Sequence, residues 1–329
     1  MWRLFDKCGE ILINKNYFII HQKVRFTKTI ILFLTFFTGI CFTQQISDPD
    51  FNPPIDNPAY PTGEGSKIYI DETHNNFHTM DGRYKPFADL LTKDGYIIKP
   101  LEDTIGINTL EEVDILVISN PLNIRNTQDW TLPTPSAFAE DEINNIANWV
   151  KGGGSLFLIA DHMPFPGAAD ELAATFGFEL NNGFAYDTVN GGGRDLFTLK
   201  DQTLRASFIT EGRSIQEKVD SIYSFTGEAF QIPANATPVL VLNSNFISLM
   251  PDTAWNFSDD TPQISVTGWS QGAVTKFGEG RIAVWGEAAM FSAQIAGEKK
   301  MKVGMNSPQA QYNYQLLLNI IHWLDHQIE

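Results

Sequence analysis

Thiols are almost missing from this sequence. Its 329 residues include 2 cysteines, Cys8 and Cys41. Both fall before residue 45, so a chain processed there has no disulfide, no thiolate metal site and no cysteine nucleophile. Positive charge is also scarce, with 23 Lys and Arg against 39 Asp and Glu. The first 44 residues hold Arg3, Lys7, Lys15, Lys23, Arg25 and Lys28 with Asp6 and Glu10, which leaves 17 basic and 37 acidic residues beyond them. That excess predicts no nucleic-acid surface, which needs positive potential. It also predicts no docking on anionic lipid. Internal repeats and low-complexity tracts are lacking too. What remains is 43% hydrophobic residues with 24 Phe, ample for a folded core.

The pronounced apolar run is "TIILFLTFFTGICF" (29–42). It is shorter than the ~20 residues of a membrane-spanning helix. Lys23, Arg25 and Lys28 precede it and polar "TQQISDPD" follows. This order reads as a secretion signal cleaved near 43–45, giving a secreted or periplasmic protein. An N-terminal membrane anchor is the alternative. A lipoprotein site at Cys41 fits less well, because Ile40 stands where a small residue is expected. Residues 1–44 are therefore an N-terminal extension with a signal. Residues 45–66, rich in Pro and Asp, form a linker arm. Residues 67–329 form one α/β domain.

Strand and helix patterns alternate from 67 to 177. "KIYI", "YIIKPL", "VDILVIS" and "SLFLIA" read as strands, the last two as buried on both faces. "YKPFADLLTKDGY", "AEDEINNIANWVKGGG" and "GAADELAATFG" read as helices. This predicts a mostly parallel sheet with helices on both faces. A β-rich insertion follows. Then come a hairpin turned at Gly278–Gly280 and a closing helix, "AQYNYQLLLNIIHWLDHQ".

Ligands of an open parallel sheet bind beyond the carboxyl ends of its strands. Asp71, His74, Asn75, Asn76 and His78 follow the first strand. Asn120 follows "DILVIS", Asp161 and His162 follow "SLFLIA", and Glu287 follows "RIAVWG". His74, His78, Asp161, His162 and Glu287 are the candidate catalytic residues. Asp71, Asn75, Asn76 and Asn120 are candidates for holding substrate. His74 and His78 lie four apart and share a face if their segment is helical. With His162 they are candidate ligands for a divalent metal such as zinc, which would activate water. The bland readings are that Asp71 or Thr73 caps a turn, that the asparagines make turn hydrogen bonds, and that the histidines are satisfied beside the sheet. In "ADHMPFPGAADELA", Gly167 opens a helix whose first amides offer an anion site, or whose Pro-Phe-Pro turn only positions it. His322 and His326 read as polar-side residues near a chain end. "NGGGRD" (190–195) is a loose connection or a lid.

The segments "VDILVISNP", "WVKGGGSLFLIADH" and "GEGRIAVWGEAAMFSAQ", with "LLLNIIHWL" closing the chain, resemble the class I glutamine amidotransferase-like superfamily. More narrowly, they resemble exported bacterial proteins related to the gliding-motility ABC-transporter auxiliary domain. Relatives show a glycine-acid turn after the "RIAVWG" strand and a closing helix of this type, and Glu287 and Phe291 match those positions. The resemblance covers 67–329 and implies a flavodoxin-like fold and an exported location. Amidotransferases carry a cysteine nucleophile in a turn that corresponds here to Asp161 and His162, so glutamine hydrolysis by that route is excluded.

Two functions fit. One is a hydrolase in which a histidine, with or without a metal, activates water and Asp161 or Glu287 is the general base. Its substrate would be an extracellular or periplasmic glycan or amide. The other is a non-catalytic module that binds a small molecule, glycan, peptide or partner protein for a cell-envelope or transport system.

Overall fold

A computed structural model describes residues 45–192 and 195–329, which belong to a compact unit spanning Thr43–Glu329. The signal and both cysteines lie outside the described residues, as does part of the "NGGGRD" run. Among the described residues no helix is long and apolar enough to cross a membrane.

The core is a nine-stranded sheet. In chain order its strands are β1 (Lys67–Asp71), β2 (Ile97–Leu101), β3 (Ile115–Ser119), β4 (Ser155–Ile159), β5 (Glu179–Leu180), β6 (Phe230–Gln231), β7 (Thr237–Val241), β8 (Ser270–Phe277) and β9 (Gly280–Trp285). Across the sheet the order is β2-β1-β3-β4-β9-β8-β6-β5, with β7 also beside β8. The pairings among β2, β1, β3, β4 and β9 are parallel. Those of β8 with β9, β6 and β7, and of β6 with β5, are antiparallel. The expected mostly parallel sheet is thus half antiparallel. The cause is the hairpin: Phe277 pairs with Gly280, so β8 turns back beside β9, and the insertion strands add onto β8. A Cβ at Gly280 would run into the carbonyl oxygens of Val150 and Gly154, so this corner of the hairpin needs glycine.

The helices are few. Those longer than one turn are α1 (Lys85–Lys93), α2 (Glu140–Lys151), α3 (Phe165–Thr175) and α4 (Asn313–Leu324). Side chains alternate along a strand, so each buried strand feeds two apolar clusters. Ile115, Val117, Phe157 and Ile159 pack with Phe87 and Leu91 of α1 and Leu317 and Ile321 of α4. Leu116, Ile118, Leu156 and Leu158 pack with Ile143 and Ile146 of α2 and Leu172 of α3. Glu140, Asp141 and Glu142 occupy the first turn of α2, where acidic side chains offset the helix dipole.

The arm at 45–66 is part of this unit. Gln45–Ser47 pairs with Ala293–Ala296, and Ala59 N–H donates to Asp94 Oδ1 at 2.9 Å.

Candidate functional site

Register decides which residues leave the sheet together. Ser119 pairs with Ile159, and Ile159 with Trp285, so the segments after β3, β4 and β9 emerge side by side. Asn120 follows first, in a left-handed conformation (φ 48°) that asparagine tolerates. Its Oδ1 accepts the Asp161 N–H at 2.8 Å, and its Nδ2 donates to His78 Nδ1 at 3.3 Å. The Asp161 carboxylate accepts the His162 N–H at 2.8 Å, together with the Ala288 N–H and the Asn120 side chain. The Glu287 carboxylate accepts Ala289 N–H at 2.7 Å, Met290 N–H at 2.8 Å and a backbone N–H of Phe225. Five predicted residues therefore gather at one place: His78, Asn120, Asp161, His162 and Glu287.

This place is electrostatically unusual. Burial pushes the Asp161 carboxyl above the usual carboxylate range, against the lowering effect of His162 and its hydrogen bonds. Burial, then the Asp161 charge, pushes Glu287 well above its ordinary value. The Asp161 charge disfavours a second negative charge on Glu287, which therefore holds its proton where a lone carboxyl would not. Burial, with Arg83 and His162 nearby, pulls His78 down to about 3, so its ring is neutral at physiological pH. His162 Nδ1 faces the Met163 carbonyl oxygen at 2.7 Å. A carbonyl only accepts, so Nδ1 carries a proton and the neutral ring presents its lone pair at Nε2.

Asp71, His74, Asn75 and Asn76 form a separate group. The segment from Glu72 to Tyr84 is not helical, and Asn75 is left-handed (φ 50°), so His74 and His78 share no helix face. His74 Nδ1 pairs with Asp71 Oδ2 at 2.8 Å and Nε2 with Glu142 Oε1 at 3.3 Å. Burial opposes the charged ring, yet the Asp71 hydrogen bond and charge, with Glu142, raise its pKa above the ordinary value. Asn76 Nδ2 donates to Asp71 Oδ2 at 3.0 Å, and Asn75 Nδ2 to the Leu122 carbonyl at 3.1 Å. The Asn75 bond ties the loop after β1 to the loop after β3, the His74–Glu142 pair ties it to α2, and the two Asp71 contacts brace the loop on its own strand.

The metal expectation is corrected on this geometry. Among the described residues, no group of three or more His, Cys, Asp or Glu side chains is placed to hold a metal ion. Both His74 nitrogens face carboxylates, and the Nδ1 atoms of His78 and His162 are taken by Asn120 and Met163. The anion reading of Gly167 is corrected as well. Its helix starts at Phe165, and the Gly167 N–H donates to Asn182 Oδ1 at 3.0 Å. His322 is fully buried, with Nε2 2.6 Å from Asp94 Oδ2, rather than on a polar side.

Several residues at this place carried no sequence signal. Glu228 is fully buried, and its Oε2 accepts the Asn181 N–H at 2.9 Å. Burial, with Asp170 and Asp161 adding, raises it well above its ordinary value. It belongs to the antiparallel insertion, where the strand-end rule does not reach. Tyr84 donates to the Ala288 carbonyl at 3.1 Å and packs on His78 at 4.6 Å. Around His162 stands an aromatic wall. Phe184 stacks on its ring at 4.6 Å, Trp255 meets it edge-on at 4.5 Å, and Phe165 and Trp130 lie at 5.8 and 6.2 Å. Trp255 is 49% exposed and has φ 66°, a strained backbone for a bulky residue. Its loop is fixed to that of Trp130 by the Ala254 N–H to Trp130 carbonyl bond at 3.0 Å and the Leu132 N–H to Asp252 carbonyl bond at 2.9 Å.

A cavity of about 360 Å³ opens at the other, amino edge of the sheet, lined by Ser66, Asp114, Gly153, Ser155, Asp325 and His326. Its Asp325 already accepts hydrogen bonds from Tyr60 at 2.6 Å and Tyr96 at 3.2 Å, and also from Ser66. The carboxyl edge has the more reactive chemistry.

No protein-family profile matches the sequence, and no curated protein does. Solved structures do match. The mmIFT52 N-terminal domain is 15% identical, with 79% of this chain and 97% of that one covered at a TM-score of 0.55. A ThuA-like protein from Bacteroides uniformis ATCC 8492 is 10% identical, covering 83% of this chain and 94% of that one at a TM-score of 0.45. The cytoplasmic protein STM1381 from Salmonella typhimurium LT2 is 12% identical, covering 79% and 99% at a TM-score of 0.45. At such identity the likeness to the mmIFT52 domain shows a shared fold and nothing about activity.

Proposed function

We propose that this chain is an exported hydrolase of glycans, built on a flavodoxin-like, amidotransferase-like fold that has lost the cysteine nucleophile. The observation that carries the proposal is the Asp161–Glu287 carboxyl pair beside His162, at the ends of adjacent parallel strands. Asp161, whose proton burial holds above the usual carboxylate range, gives it to the departing oxygen. His162 Nε2 takes a proton from water as the water oxygen bonds to the carbon and the carbon–oxygen bond breaks. The proton then returns from His162 to Asp161. Glu287 touches no substrate: it is fully buried, and burial with the Asp161 charge raises its own proton affinity. Trp255 supports a sugar over an amide, because half-exposed indole is a face on which an apolar ring surface packs.

The test is release of reducing ends from a panel of extracellular polysaccharides, by the wild-type chain and by Asp161→Asn. Wild-type release that the variant lacks supports the proposal. Release by neither, or equally by both, ends it. Trp255→Ala is expected to weaken binding of the cleaved glycan by roughly tenfold, about 1.4 kcal/mol, within the range of an aromatic contact. Calorimetric titration of the glycan into wild type and Trp255→Ala reads this out.

A second reading has its own support. Asp161 and His162 are each only 7% exposed, so the polar group resembles a floor more than an open catalytic surface. On that reading the chain binds a glycan or a peptide without turnover. Saturable binding that needs Trp255, with no product released over days, would favour it.

A further inference from the structure

Arg83 stands out among the residues of this edge. Its guanidinium carbon lies 4.0 Å over the Phe77 ring, a cation–π contact that holds the side chain in place. None of the five donors of that group makes a hydrogen bond or ion pair with the described residues, although the residue is only partly exposed. Partly buried arginines normally spend their planar fork on a carboxylate or on carbonyls, as Arg213 does on Glu217 and Arg281 on the Trp323 and Ile328 carbonyls. The placement is also particular. Arg83 is close enough to His78 to disfavour its charged form, and close enough to Asp161 to be steadied by that carboxyl's charge. From Phe77 the aromatic surface continues to Trp130 at 5.7 Å, then to His162 and Trp255. One end of this strip is thus an unpaired cation and the other a half-exposed indole, with Asp161 and His162 between.

We propose that Arg83 recognises a carboxylate on the substrate, so that the glycan is acidic and carries hexuronate residues. This rests on the glycan reading above. A carboxylate matches the guanidinium fork with two parallel hydrogen bonds. The ring that bears it would lie along Phe77 and Trp130 and place the next ring toward Trp255. Elsewhere the chain is strongly acidic, with 39 Asp and Glu against 23 Lys and Arg. A long uronate polymer is therefore repelled at a distance, and the site suits short acidic oligosaccharides or chain ends.

The experiment measures tryptophan fluorescence on titration of the full chain with uronate trisaccharides and with neutral hexose trisaccharides of the same linkages. The expected result is at least tenfold tighter binding of a uronate than of its neutral counterpart. Arg83→Met keeps the packing on Phe77, and is expected to erase that preference while leaving the neutral sugar unchanged. Arg83→Lys is expected to recover only part of it, since ammonium lacks the fork. Equal binding of acidic and neutral sugars, both needing Trp255, overturns the inference and leaves the glycan reading standing. A uronate preference that survives in Arg83→Met also overturns it. Binding of neither kind of sugar overturns both.

Discussion

Asp161→Asn lowers the hydrolytic rate by about 10²–10⁴-fold, the usual contribution of a positioned proton donor. Asn keeps the size of the side chain and an oxygen for the His162 N–H, so the fold and the Trp255 fluorescence response to glycan are retained. The pH profile gives the sign. Burial holds the Asp161 proton above the usual carboxylate range. The wild-type rate therefore falls as pH rises through that elevated pKa, because the donor is then empty, and it also falls in acid once His162 is protonated and can no longer take the proton from water. The alkaline fall is absent from whatever rate Asp161→Asn retains. Steady-state rates of reducing-end release across pH, for both proteins, check this. A variant within a few-fold of wild type would remove Asp161 from the chemistry.

His74→Ala costs about 3 kcal/mol of stability, because removing one partner of a buried ion pair leaves the others uncompensated. Asp71 is fully buried and Glu142 nearly so, and both lean on the same ring. The loss falls on the fold rather than on turnover per folded molecule, since His74 faces the α2 start and not Asp161. The His74 pKa is raised in the folded state. Its stabilisation is thus complete below the unfolded value of ~6.5 and is lost as pH rises through the folded one. Denaturant melts of wild type and His74→Ala should diverge at low pH and converge at high pH. A gap that stays constant, or grows, with rising pH would show the ring to be neutral in the fold.

The strands after which polar residues emerge were legible, because a β-branched apolar run bounded by glycine and a charge has few other uses. "DILVIS", "SLFLIA" and "RIAVWG" do lie side by side and in register, and this alone predicts that Asn120, Asp161 and Glu287 share an edge. The loop after β1 was not legible. Its two histidines suggest helical spacing, but Asp71 draws the Thr73 and Asn76 side chains inward and Asn75 turns left-handed. Arg83, Trp130 and Trp255 sit in irregular segments, where no periodicity says which side chains meet. The same holds for His322, whose partner Asp94 lies 228 residues earlier in the chain. The half-antiparallel sheet is concealed for another reason. Strands of two residues, such as Glu179–Leu180 and Phe230–Gln231, are too short to leave a pattern.

The central claim is that Asp161 and Glu287 form a proton-holding pair, and carboxyl-carbon NMR titration of the ¹³C-labelled protein tests it most directly. The prediction is a Glu287 resonance that titrates well above the usual carboxylate range and moves down in Asp161→Asn, beside an Asp161 resonance that burial raises above that range. An Asp161 that titrates near ~3.9, the ordinary aspartate value, with Glu287 intact would contradict the account.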